Sequence, residues 1–274
     1  PSIVGSDGSG IVEKVGDEVV NSFLNNEVII NPGINWGDNQ NVQKADFKIL
    51  GLPDDGTFAQ YVKVNQKYVY PKPANLSFEE AAAIPLSGLT AYRALFSRAN
   101  IQKGDKVLIS GIGGGTALFA FQFAIAFGAE VYVTSGSDEK INKAIEMGAK
   151  GGVNYKNENW EKEFKVTFDV IVDSAAGDGF AKLVDLASPG GRIVFYGGTK
   201  GIINNINPQK VFWKQISILG STMGSDKDFK DMLYFIEKHN IKPVVDKVYN
   251  FEQAQEAIER MANADQFGKI VLNF

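Results

Sequence analysis

Apolar positions along this chain fall into two kinds of pattern, and the change comes near residue 100. Beyond it, short runs that are apolar at nearly every position, at 107–109, before Thr134, at 153–155, 168–173, 192–196 and 216–219, read as six strands. Between them, stretches at 117–127, 138–147, 182–187 and 208–214 have helical period or composition. The run FDVIVD at 168–173 is apolar on both faces, as strands covered on both sides are. Strand and helix in alternation predict an α/β fold with a doubly wound parallel sheet. The expected strand order is 3-2-1-4-5-6, with a ligand at the carboxyl ends where the order reverses.

Before residue 100 the pattern is different. Ile3, Ile11, Val12 and Val15 alternate with glycines and acids, predicting short antiparallel strands, and 28–30 is a further strand. The segment 31–49 has no period and reads as a long ordered loop, with Trp36 and Phe47 packing it onto a surface. Asp54-Asp55-Gly56 is a turn, and TFAQYVKV at 57–64 alternates as a strand does. Ser77 followed by Glu79 and Glu80 predicts a helix start, while Pro85 and Gly88 predict a break within 81–96, the candidate hinge. The tail predicts helices at 226–238 and 251–261 and strands at 244–249 and 269–274, the last returning to the first domain. The expected division is a β-rich domain, 1–89 completed by 240–274, and a nucleotide domain, 90–239.

The chemistry concentrates at KVLISGIGGGTALF. Gly111, Gly113, Gly114 and Gly115 stand between a strand and an apolar helix that opens at Thr116. Such a turn brings bare backbone N–H groups against phosphate oxygens, and the helix N-terminus adds a dipole that favours anions. Strand, turn and helix together predict a Rossmann-type dinucleotide site, although a glycine turn of this kind also occurs in methyltransferases. The end of the second strand discriminates. A site for NADH or for S-adenosylmethionine holds the ribose with an acid there, whereas this chain has Thr134, Ser135, Gly136 and Ser137. Small hydroxyls, with Lys140 in the next turn, favour NADPH over NADH; taken alone, Lys140 reads equally as a solvated helix residue.

Composition narrows the classes. With no cysteine and one histidine, His239, the chain has neither disulfides nor thiolate metal sites nor a histidine cluster. His239 reads as a cation at a helix C-terminus. A net charge of −4 argues against a nucleic-acid surface, and the apolar run 117–127 is too short to cross a bilayer. With no signal peptide pattern, the expectation is a cytoplasmic protein with no membrane partner.

The motifs GSDGSGIVEKVG, DDGTFAQYV, AAAIPLSGLTAY, the glycine turn, FDVIVDSAAG, GGRIVFYG and FGKIVL together resemble the medium-chain dehydrogenase/reductase superfamily, in its zinc-free, quinone-oxidoreductase-like branch. The resemblance implies a GroES-like catalytic domain, a Rossmann domain and a homodimer formed along the edge strand at 216–219. It also implies zinc-independent hydride transfer from NADPH to a quinone or an activated C=C or C=O of a small apolar substrate between the domains. By position, Gly111, Gly114 and Ala117 match the branch's phosphate loop. Ser135, Lys140 and Tyr155 are similar to its 2′-phosphate contacts, and Thr90, Ser174, Tyr196, Gly197, Phe267 and Lys269 to neighbours of the ribose and nicotinamide. Gly5-Ser6-Asp7 stands where zinc-dependent members carry Gly-His-Glu; apart from that correspondence, Ser6-Asp7 reads as a turn. No proton donor is assigned; Ser6, Asn35 and Tyr61 are polar neighbours. The family's first β-rich portion is expected before Pro1, which would leave the catalytic domain incomplete, and Leu24-Asn25-Asn26-Glu27 replaces its second Val-Gly-Asp turn. A nucleotide-binding protein without turnover and, behind it, a methyltransferase are the alternatives.

Overall fold

The computed structural model describes residues 2–19 and 23–274, so Pro1 lies outside the described residues. The chain forms two compact units. One comprises 1–89 with 223–274, and the other is the continuous stretch 90–222.

In the first unit, β1 (Ser9–Ile11) pairs antiparallel with β2 (Glu27–Ile30), as the alternating pattern predicted. In the loop that follows, β3 (Gly33–Ile34) and β4 (Lys48–Ile49) pair with each other, and Trp36 is 1% exposed. Its Nε1 donates to the Asn39 carbonyl at 3.0 Å and its ring meets Phe47 edge-on at 5.4 Å, so the loop is pinned by its own aromatic pair. β5 (Val69–Pro71) completes the sheet beside β2.

The segment 57–64 is not a strand, against its alternation. Thr57 and Phe58 donate to the Gly5 and Val4 carbonyls, and the residues after them have no ladder partner among the described residues. Period-2 patterning gives a strand only where a neighbour completes the ladder.

Helix α1 (Phe78–Ala82) starts as expected: Ser77 Oγ accepts from the Glu80 amide at 3.1 Å, and Glu80 Oε2 accepts from the Ser77 amide at 2.9 Å. The break before Pro85 is present, because Pro85 opens α2 (Pro85–Tyr92), where a missing N–H costs nothing. The division between the units falls inside α2, and a π-helical turn, Arg93–Arg98, continues it.

The second unit is a six-stranded parallel sheet. Its elements are β6 (Lys106–Ile109), α3 (Gly115–Phe127), β7 (Glu130–Ser135), α4 (Asp138–Glu146), β8 (Gly151–Asn154), β9 (Phe168–Asp173), α5 (Phe180–Leu186), β10 (Ala187–Phe195), α6 (Pro208–Trp213) and β11 (Ser217–Gly220). The order β11-β10-β9-β6-β7-β8 is the one predicted from the sequence. α3 is apolar on every side because every side is used: Leu118, Phe119, Phe121 and Phe123 are all at most 2% exposed. Pro189-Gly190-Gly191 lies within β10 as a register shift between Ala187 and Arg192, where a loop is the simpler reading of the sequence.

The remainder of the chain, α7 (Asp226–Lys238), β12 (Val245–Asn250), α8 (Ala254–Ala262) and β13 (Lys269–Asn273), belongs to the first unit. The apolar face of α7 explains why 223–239 joins it, although the sequence reading grouped that stretch with the nucleotide domain. Phe229 packs on Tyr70 with centroids 4.9 Å apart, and Met232 lies against Gly88. β12 and β13 pair in parallel, joined through α8.

Candidate functional site

The second unit reverses its strand order at β6, between β9 and β7, and that is where the polar residues gather. β6 runs into Ser110, whose hydroxyl donates to the Asp173 carboxylate at the end of β9. The same carboxylate accepts the Ala175 and Ala176 amides at 3.1 and 2.7 Å, so one buried acid ties two adjacent strand ends together.

Beyond Ser110 the chain turns through Gly111 (φ 68°) and Gly113 (φ 124°), conformations that L side chains rarely adopt. Ile112 bridges across to β7, its amide donating to the Thr134 carbonyl at 2.7 Å. Gly114 is the N-cap of α3 and offers no side chain to the first helical amides. A Cβ at Gly114 would find open space, so the mouth of the turn is unobstructed. The first amides of α3, at Gly115 and Thr116, thus have no side-chain cap, and the open space beside Gly114 suits an anion.

At the end of β7, Ser135 is 4% exposed. Its hydroxyl donates to the Ile112 carbonyl at 3.4 Å and accepts the Ser137 amide at 3.3 Å, which fastens the loop to the glycine turn. Ser137 caps α4 through the Lys140 amide. Lys140 lies across Gly113: the Cβ position there is 2.8 Å from its Cδ and 3.5 Å from its Nζ. Tyr155 follows β8 with its hydroxyl over Gly136.

On the other side of the switch point, Ser174 and Tyr196 are hydrogen-bonded. Burial raises the Tyr196 phenol above its ordinary value, against the lowering effect of that bond, and the Asp173 charge adds to the rise. Gly197 sits where a Cβ would come 2.5 Å from the Ser174 carbonyl, which is why the backbones meet there. Thr90 is buried in α2, 6% exposed.

The structure therefore brings eleven of the fourteen sequence-selected positions to strand ends of one sheet: Gly111, Gly113, Gly114, Gly115, Thr116, Ser135, Lys140, Tyr155, Ser174, Tyr196 and Gly197. Phe267 and Lys269 belong to the first unit. Phe267 donates its amide to Asp246 at 3.0 Å, while Lys269 pairs with Asp7 at 2.8 Å and reaches Ser87 Oγ at 3.3 Å. Asp7, read from sequence as part of a turn, also accepts the Leu86 amide at 2.7 Å, near the start of α2. Ser6 and Tyr61 line an open groove of 1620 Å³ in this unit, together with Asp7 and Lys269. Asn35 is engaged elsewhere, accepting from the Tyr68 hydroxyl. Sequence reasoning missed Asp173 as the link between strands; a carboxylate ending an otherwise apolar strand is the signal that marks it.

Residues 1–74 match the alcohol dehydrogenase GroES-like domain and residues 115–238 match the zinc-binding dehydrogenase domain. The zinc-type alcohol dehydrogenase-like protein YogA of Leptosphaeria maculans is 34% identical, across 97% of this chain and 81% of its own length. The chain belongs to the medium-chain dehydrogenase/reductase superfamily. The mouse quinone oxidoreductase, another relative, is 31% identical over 99% of this chain and 80% of its own length. A crystal structure of an NAD-dependent alcohol dehydrogenase superposes with a TM-score of 0.93 at 37% identity, covering 100% of this chain and 83% of that one. As a medium-chain dehydrogenase/reductase, the protein is an oxidoreductase of the NAD(P)-dependent kind, with a Rossmann-like sheet and a GroES-like domain.

Zinc, which two of those descriptions name, finds no suitable donor set among the described residues. The chain has no cysteine, and its one histidine, His239, closes α7 with its ring tilted against Phe235, centroids 4.3 Å apart. Among the described residues no three His, Asp or Glu side chains gather as a metal site. A nicotinamide dinucleotide does fit, because the glycine turn, the uncapped helix start and the open position at Gly114 form a cradle for a pyrophosphate.

Proposed function

We propose that this protein is a zinc-independent, NADPH-dependent oxidoreductase that passes hydride to a quinone, or to an activated C=C or C=O bond, of a small apolar substrate. The observation that carries the reading is the end of β7. No carboxylate follows directly to hold a ribose 2′-hydroxyl; Ser135 and Ser137 occupy that loop, Tyr155 closes on its Gly136, and Lys140 lies against Gly113 of the neighbouring glycine turn. The acids nearest in sequence have other partners: Asp138 accepts from Asn154 at 2.8 Å and Glu139 pairs with Lys143 at 2.7 Å. A 2′-phosphate thus meets a cation and hydroxyls in place of a repelling acid. The mouse relative named quinone oxidoreductase supports the acceptor class, and the unsuitable zinc donor set supports metal-free transfer.

The nicotinamide, when bound, supplies the hydride. The protein's own share is binding and orientation. The backbone amides of the glycine turn and of α3 would hold the pyrophosphate, Lys140 and Tyr155 the 2′-phosphate, and the Ser174–Tyr196 pair with Gly197 the ribose and nicotinamide half. Tyr196, its phenol kept neutral, serves as a hydrogen-bond donor and not as a base.

Titrating the purified chain with NADPH and NADH, followed by NADPH oxidation across a panel of quinones and enones, tests this. We expect NADPH to bind at least tenfold more tightly and to be oxidised by part of the panel. Binding of neither nucleotide overturns the reading; tight NADPH binding without turnover leaves a nucleotide-binding protein. We also propose a homodimer along β11, which pairs only with β10 among the described residues and lies near the exposed Phe212 and Trp213 of α6.

A further inference from the structure

The loop between β7 and α4 contains a glycine that its backbone does not require. Gly136 has no left-handed φ, so any residue could adopt its conformation. Its space is what is limited. A Cβ there would stand 2.9 Å from Lys156 Cε, 2.9 Å from the Tyr155 hydroxyl and 3.0 Å from Tyr155 Cε2. Two consecutive side chains from the end of β8 therefore fold back together over the loop that follows β7. Tyr155 is one of the residues already assigned to the 2′-phosphate; Lys156 is not.

The backbone that carries this pair is fixed at three points. The Tyr155 amide donates to the Ser135 carbonyl at 3.0 Å, and the Lys156 amide donates to Asn154 Oδ1 at 3.0 Å. Asn154 is held in turn by Asp138, which accepts from its Nδ2 at 2.8 Å. Asp138 thus spends its nearest hydrogen bond on positioning a neutral side chain. The Lys156 ammonium has no ion-pair partner among the described residues, and the side chain is exposed. A solvated lysine with no partner ordinarily extends into water; this one lies over a glycine beside a tyrosine hydroxyl and the loop that carries Ser135 and Ser137.

We propose that Lys156 is a specificity-determining contact for the 2′-phosphate, closing over Gly136 with Tyr155, and that Asn154 is the residue that positions it. The inference rests on the NADPH reading above. A phosphate monoester is a dianion near neutral pH, and one lysine leaves half of its charge unmatched. Lys140 at the glycine turn and Lys156 at the β8 end supply two cations, with Tyr155 as a neutral donor beside the second.

Dissociation constants of the full chain for NADPH, NADH, adenosine 2′,5′-bisphosphate and 5′-AMP, measured by fluorescence and calorimetric titration, test it. Lys156→Gln is expected to weaken NADPH and the bisphosphate by about 10- to 100-fold, the range of a charge-assisted hydrogen bond, and to leave NADH and 5′-AMP unchanged. Gly136→Ala meets only the movable ends of Lys156 and Tyr155, so it should displace them, weaken the same two ligands and leave the melting temperature near that of the parent. Asn154→Ala should weaken NADPH in the parent background and lose that effect in the Lys156→Gln background, which a merely structural role would not do. An equal loss for all four ligands, or no loss in Lys156→Gln while Lys140→Gln still discriminates, overturns the inference and leaves the NADPH reading standing. Equal affinity of the parent for NADPH and NADH overturns both.

Discussion

Tyr196 in one unit and Asp7 in the other show how much structural work single side chains do here. The Tyr196 phenol holds its proton to higher pH in the folded chain than in the unfolded one, where it ionises near 10.0. The folded state therefore binds more protons above that pH, and stability falls as pH rises through it. Urea unfolding between about pH 8 and 11 should show a steeper alkaline loss for the parent than for Tyr196→Phe, which has no phenol to ionise. Asp7 receives Lys269 Nζ and the Leu86 amide, so Asp7→Ala strands the amide and leaves the lysine with Ser87 Oγ alone. We expect a loss of about 1–3 kcal/mol, read as a lower denaturation midpoint. Tyr196 was singled out from the sequence, but its burial was not legible there, nor was the pairing of Asp7. In sequence Asp7 is an acid between glycines, and the 262 positions to Lys269 are closed only by the fold.

Among the elements, the strands and helices of 106–220 follow from the sequence through local rules, namely apolar runs, a glycine turn and hydroxyl caps, with Pro189-Gly190-Gly191 inside β10 the exception. α3 depends on its aromatic filling. Phe123, fully buried and meeting Tyr92 and Phe119, should cost about 3–5 kcal/mol on replacement by Ala, measurable by thermal or denaturant unfolding. α7 depends on its first turn. Ser225, 1% exposed, exchanges hydrogen bonds with Asp228, and Ser225→Ala should cost about 1 kcal/mol of stability. Where the sequence reading differs from the structure, in the strand expected at 57–64 and in the unit to which the correctly placed helix α7 belongs, the outcome depends on a partner. The stretch 57–64 has the alternation but no adjoining ladder, and α7 has an apolar face whose destination, Tyr70 and Gly88, lies more than 130 residues earlier. The glycine turn, by contrast, was readable because positive φ and an uncapped helix start are written into adjacent residues. The cluster at 135–156 was half readable: its residue types were visible, while the folding of Lys156 over Gly136 was not.

For the molecule as a whole, the proposed NADPH preference and the proposed β11 dimer belong to different measurements. Light scattering of the purified chain should report twice the monomer mass, and Trp213→Glu, placing a charge on the exposed α6 surface, should shift the population toward monomer without altering nucleotide binding. A parent protein that scatters as a monomer overturns the dimer. The two-unit division carries a different kind of consequence, one concerned with time. Unit 90–222 is continuous, whereas its companion is assembled from 1–89 and 223–274, including the parallel pair β12 and β13. A ribosome releases the chain from one end, at about 5–20 residues per second. The nucleotide unit therefore emerges with every strand of its sheet in hand, while the earlier-made β-rich segment must wait for residues still being translated. The sheet β1-β2-β5 lies wholly within 1–89, but Tyr70 of β5 meets Phe229 of α7 only after the whole nucleotide unit has been made, so that apolar face closes late.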